Sequence, residues 1–213
     1  MSIRKLLQIG ACAAALTLSG SATAVTELII NGGFEADPQA AGTWNIYDNL
    51  TGWTGGKYGI ELRNNVAGTA FEGHNFVELD TTRNSLMYQK IDTVAGQAYT
   101  LSFAYSPRPG VAKDSNGIEV LWNGKKVAVE KAKGLNNGLN DWTVYSFTVF
   151  GGKKDQSTLE FKAVGKSDSY GGSLDAVSLI SAVPEPSTYA MLTVGVGLIG
   201  FAARRRKSNP KFD

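Results

Sequence analysis

Trp44, Tyr47 and Tyr58 stand among Gly, Asn, Asp and Thr in the first third of the chain, and Arg63 and Asn64 come just after a short strand-like run. An aromatic ring offers a flat apolar face to a pyranose, and planar polar side chains suit its hydroxyls. These five residues are therefore the candidates for a carbohydrate site, with the aromatic ones expected on loops. Trp53, which follows Gly52, and Trp122 and Trp142, on or beside strand-like runs, are expected in the core instead. Glu61, Glu72, Glu78 and Asp80 raise a second chemistry, because a glycosidase needs two carboxyls at a defined separation. Sequence does not give that separation. The single histidine, His74, reads as a loop residue between Gly73 and Asn75, and one His with one Cys gives no support to a metal cluster or a Ser/His/Asp triad.

Such side chains need a scaffold, and the middle of the chain is rich in strand signals. β-Branched and aromatic residues cluster or alternate in Glu27–Asn31, Gly59–Arg63, Asn75–Leu79, Leu86–Asp92, Gln97–Ser106, Gly117–Trp122, Lys126–Glu130, Thr143–Phe150, Thr158–Ala163 and Leu174–Ile180. In Gln97–Ser106, Tyr99, Leu101, Phe103 and Tyr105 alternate with Thr100, Ser102, Ala104 and Ser106, which predicts one core face and one wet face. Asn123-Gly124 lies between two such runs and predicts a tight hairpin with positive φ at both positions. No segment carries a convincing amphipathic helical period. The expected fold is all-β: an antiparallel β-sandwich of the jelly-roll type.

The two ends read as addresses. Residues 1–24 open with Arg4 and Lys5, continue with an apolar run from Leu6 to Leu18, and finish in Ala22-Thr23-Ala24, the pattern of a secretory signal peptide cleaved before Val25. The competing reading, a lipoprotein signal at Cys12, leaves only a few apolar residues ahead of the cysteine. Residues 184–213 begin Pro184-Glu185-Pro186, run through a largely apolar stretch at residues 187–203, and end in Arg204-Arg205-Arg206-Lys207. Seventeen residues lie near the lower limit for a transmembrane helix, and the cations place its end in the cytoplasm with residues 25–183 outside the inner membrane. A permanent tail anchor is the plainer alternative.

The triplet, short helix and arginine cluster, in that order, closely resemble the PEP-CTERM sorting tail of bacterial exported proteins. That resemblance implies recognition by an exosortase, removal of the tail near Pro184-Glu185-Pro186, and release or attachment at the cell surface. A second resemblance spans the body. Asn31-Gly32-Gly33-Phe34-Glu35, Gly52-Trp53, the run from Phe71 to Asp80, Tyr88-Gln89-Lys90-Ile91 followed by Gly96 to Phe103, and Leu174 to Leu179 are similar to the galactose-binding-like jelly roll. The order and spacing most resemble domain of unknown function family 642, and more distantly the β-sandwich carbohydrate-binding modules. This resemblance implies one structural Ca2+ held by Glu35 and Asp175 with Asp37 nearby; ordinary turn or surface carboxylates are the alternative. It also implies a structural role for Phe76-Val77-Glu78-Leu79-Asp80, so no catalytic residue is assigned. The body lacks the cysteines and tandem domains of the plant members, whose ligand preferences are not carried over.

Charge sharpens the picture. The whole chain of 213 residues carries 21 cations, 19 acids and a formal charge of +2. Residues 25–183 alone hold 14 cations and 17 acids, a net charge of −3, so the apparent basicity belongs to the ends. With no basic stripe or recognised motif, a nucleic-acid partner is not expected, and Lys125-Lys126 and Lys153-Lys154 read as solvated hairpin ends. With 43% apolar and 19% charged residues, a disordered polar chain is excluded. The expectation is an exported, non-enzymatic module that binds envelope or matrix polysaccharide. The alternative is a structural matrix or adhesion protein of the same fold without a sugar pocket.

Overall fold

The computed structural model describes residues 26–181, and every regular element among them is a β-strand. The strands are β1 (Thr43–Tyr47), β2 (Asn49–Leu50), β3 (Trp53–Gly55), β4 (Ile60–Asn64), β5 (Asn75–Glu78) and β6 (Leu86–Asp92), then β7 (Ala98–Ser106), β8 (Gly117–Trp122), β9 (Lys125–Lys131), β10 (Thr143–Phe150), β11 (Gln156–Val164) and β12 (Ser173–Ser181). They form two six-stranded antiparallel sheets, ordered β1-β4-β5-β12-β7-β10 and β2-β3-β6-β11-β8-β9. This is the expected sandwich. The signal segment, Pro184, Glu185, Pro186, the apolar stretch at 187–203 and Arg204, Arg205 and Arg206 lie outside the described residues. Among the described residues no helix is long and apolar enough to cross a membrane.

Period-two alternation builds the core. Leu62, Val77, Leu174 and Tyr105 stand opposite one another across β4, β5, β12 and β7, and all are buried. Direct partners share a sheet face, so this row points inward, toward Phe161 and Leu159 of the second sheet. Trp53 is 2% exposed, tilts against Phe34 and Phe161, and donates its Nε1–H to the Asn31 carbonyl. Trp122 is buried as expected, its indole N–H on the Phe150 carbonyl. Asn123 and Gly124 turn the β8–β9 hairpin with φ of 52° and 73°.

Three expectations need correction. Glu27–Asn31 is no strand: it contributes only the bridge Glu27↔Ile180 before turning through Asn31 and Phe34, both at positive φ. Its strand role is taken by side chains. The Gln89 amide bonds both the N–H and the C=O of Ile30, and Glu27 accepts the N–H of Leu179. The loop-rich first third in fact contains β1, β2 and β3, so Trp44 and Tyr47 sit on a strand. Trp142 is only half-buried and packs edge-on against Phe71 and Phe76, on the opposite side of the first sheet from the core.

The Asn31-Gly32-Gly33-Phe34 turn closes onto β12. At Asp175 to Ser178 the β12–β7 register shifts, Ala176 takes φ of 48°, and the Val177 N–H reaches the Gly32 carbonyl at 3.0 Å. A Cβ on Gly32 would overlap the Val177 carbonyl oxygen. Because backbone atoms make that contact, no side chain can move aside. Gly32→Ala is expected to cost about 3 kcal/mol or more, a fall of roughly 6–12 °C in Tm by thermal unfolding.

Candidate functional site

The outer face of the first sheet carries a second set of rows. Trp44, Arg63 and Phe76 stand opposite one another on β1, β4 and β5; beside them run Ile46, Glu61, Glu78, Ser173 and Ser106. A sheet face turned from the core ordinarily reads polar and wet. Here Glu61, Arg63, Glu78, Ser173 and Ser106 are all buried, because loops cover them. Ala104 and Ser106, expected on the wet face of β7, are buried for the same reason.

Arg63 anchors this face. It is 1% exposed; its Nε donates to Glu61 Oε1 at 2.6 Å and its Nη2 to Glu78 Oε2 at 3.0 Å. The spacing Glu61-x-Arg63 puts acid and base on one side of a strand, and the register brings Glu78 alongside. Taking these charges out of water is costly, and pairing offsets that cost. Burial pushes the Glu78 carboxyl up to about 7, with Arg63 pulling it down and Glu61 and Asp80 adding like-charge repulsion. Asp80 serves a neighbouring loop. Its Oδ2 accepts the backbone N–H groups of Asp168 and Ser169, each at 2.9 Å, and fixes the loop over the face.

Between that loop and β1 lies a cavity of about 340 Å³, bordered by Trp44, Glu61, Arg63, Arg108, Asp168 and Tyr170 among others. Trp44 and Tyr170 are 52% and 50% exposed at its rim. Arg108 stacks on the Tyr170 ring at 4.7 Å and donates to the Ser169 carbonyl. Burial first, and the charge of Arg63 second, hold the Arg108 guanidinium below its ordinary value. Desolvation opposes ionisation of Asp168, yet the Ser115 hydroxyl and Lys166 ammonium outweigh it and hold the carboxyl below the usual range. Two residues of the cavity lining each keep one buried side-chain atom without a hydrogen-bond partner: Arg63 its Nη1, a donor, and Asp168 its Oδ1, an acceptor.

The sequence candidates divide accordingly. Trp44 and Arg63 meet at the cavity. Arg63 and Asn64 do not follow a strand but close β4, both buried. Asn64 donates to the Gln39 carbonyl and faces a separate recess beside Glu35 and His74. Tyr47 is half-buried against the core and donates to Gln39. Tyr58 lies outside the cavity lining; its carbonyl accepts the Thr81 hydroxyl. Arg108, Asp168 and Tyr170 were not anticipated.

The three expected calcium ligands are not gathered. Glu35 Oε1 accepts the N–H groups of His74 and Asn75, and Asp37 accepts the Thr51 N–H and the Asn31 amide. Asp175 accepts the N–H groups of Phe71, Glu72 and Ala176. Among the described residues no group of three or more His, Cys, Asp or Glu could hold a metal ion. Each of the three carboxylates holds its own set of hydrogen bonds. Glu61 and Glu78, two of the four carboxylates weighed for glycosidase chemistry, are both tied to the same guanidinium.

Burial also raises Asp175 to about 7, with its three backbone hydrogen bonds opposing. Both Asp175 and Glu78 thus hold protons in the folded state at pH values where the unfolded chain, near 3.8 and 4.5, has lost them. Because the native state binds more protons, their contribution to stability is greatest below about pH 4 and declines as pH rises to about 7. Their titration is expected to lower the Tm between about pH 4 and pH 7, and Glu78→Gln to flatten that slope, as thermal melts across pH will read.

Over 170 residues the chain is 33% identical to the multifunctional-autoprocessing repeats-in-toxin protein of Vibrio vulnificus, a match covering 76% of this chain and 3% of that protein. It spans about 3% of the length of the curated relatives it matches. Among solved structures, it is similar to TmCBM61 in complex with β-1,4-galactotriose, with TM-score 0.46, 14% identity and coverage of 73% of this chain and 99% of that one. It is also similar to CBM35 from Paenibacillus barcinonensis, with TM-score 0.41, 17% identity and coverage of 66% and 100%. Residues 182–207 match the PEP-CTERM protein-sorting motif, so the chain carries that motif at its C-terminal end.

Proposed function

We propose that this chain is an exported, non-enzymatic module that binds polysaccharide at the cavity on the outer face of its first sheet. The observation that carries the reading is a cavity whose lining combines two exposed aromatic rings, Trp44 and Tyr170, with Arg63, Arg108 and Asp168. A sugar hydroxyl both donates and accepts, so it suits a lining that offers guanidinium donors and a carboxylate acceptor. Trp44 and Tyr170 offer the apolar faces a pyranose stacks on, and Arg108, already held by Tyr170 and Ser169, presents further donors. Glu61 and Glu78 neutralise Arg63 rather than face one another across a scissile bond, which supports binding over hydrolysis.

The sorting motif supports export with exosortase processing of the tail, and a place at the cell surface or in the extracellular matrix for the released body. The inner membrane is then a transient partner, met through the 187–203 segment.

A glycan array that includes the producing cell's own polysaccharide tests the reading. Binding is expected, weakened about 10-fold or more, near 1.4 kcal/mol, by Trp44→Ala or Tyr170→Ala, with the polymer's chain length unchanged after incubation. Absence of binding to every glycan sinks the proposal.

A further inference from the structure

The four sheet edges are not alike. β1 has five residues and β2 two, too short to template much pairing. β9 is longer but carries Lys125, Lys126 and Lys131, and its pairing with β8 slips at Val120/Leu121. Charge and irregularity of this kind keep an edge from pairing with another chain. β10 has neither protection. Its eight residues, Thr-Val-Tyr-Ser-Phe-Thr-Val-Phe, include no charge and no proline, and they pair with β7 in unbroken register from Thr143↔Tyr105 to Phe150↔Ala98. Among the described residues β7 is its one strand partner. Its outward side displays Val144 and Phe150, 56% and 59% exposed, while Tyr145, Phe147 and Val149 turn toward the core.

We propose that β10 pairs antiparallel with β10 of a second copy of this chain, joining two six-stranded sheets into one of twelve strands. Opposite residues of an antiparallel pair share a face, so a two-fold register must match outward residues with outward ones. One such register sets Phe147 against its own counterpart. It places Val144 opposite the second copy's Phe150 twice over, and Ser146 opposite its Thr148. The two exposed apolar residues of each strand then cover those of the other, and no like charges meet. This self-match is why the occupant is a second copy rather than a foreign chain.

Cross-linking tests both the contact and its register, using the full chain in mild detergent with Cys12→Ser throughout. A mixture of Val144→Cys and Phe150→Cys proteins is expected to give a disulfide-linked dimer of doubled mass, which neither protein forms alone. Self-linking of Ser146→Cys overturns the register and with it the proposal, as does failure of every folded variant to cross-link. A second arm measures mass in solution. Val144→Lys with Phe150→Lys is expected to lose the dimer, and Val144→Lys with Phe150→Glu to regain it. Equal dimer in both, or a monomeric unsubstituted chain, overturns the proposal.

Discussion

A guanidinium buried on the wrong side of a sheet sets the terms for much of this structure. Arg63 points away from the core, yet it is as dry as a core residue. A lone buried charge is far too costly to keep, so the strand register must deliver carboxylates to it, and it delivers two. Two acids around one base leave an excess of negative charge, which the raised Glu78 relieves by holding its proton. The loops must then keep water out. Asp80 does so at a distance, gathering the backbone N–H groups of residues 168 and 169 and laying Tyr170 beside Arg108. Both acids leave the Nη1 of Arg63 without a protein partner.

Much of the fold was legible in the sequence, because period-two alternation is a local signal that tertiary packing reinforces. Leu86–Asp92, Gly117–Trp122 and Thr143–Phe150 are strands at the expected bounds. β1 to β3 escaped because Trp44, Tyr47 and Trp53 lie among Gly, Asn and Asp, residues that signal turns. Those strands are held by their neighbours in space, β4 and β6, rather than by their own propensity. Glu27–Asn31 failed in the opposite sense. Its composition is that of a strand, but Gln89 and Glu27 satisfy the backbone groups that a neighbouring strand would otherwise bond.

The site was half legible. Trp44 and Arg63 were named for their chemistry, but the ion pair of Arg63 with Glu61, two residues before it on the same strand face, was not anticipated. Tyr170 and Arg108 had no such signal: the Asp80 carboxylate fixes the loop at residues 168–169, about ninety residues further along the chain, and so brings Tyr170 beside Arg108. Glu35, Asp37 and Asp175, named through the family resemblance, each accept backbone N–H groups that cannot reach a ladder. A carboxylate that organises a loop and one that holds a cation look the same in a sequence.

The bridge between Glu27 and Ile180 has a mechanical side. Glu27 faces Ile180 of β12 in antiparallel sense there, so a pull between residues 26 and 181 would break Leu28 N–H to Leu179 C=O and the Glu27 contacts one at a time. Such an arrangement opens like a zipper, at low force, and spends its slack before any load reaches the long ladders of β12 with β7 and β7 with β10.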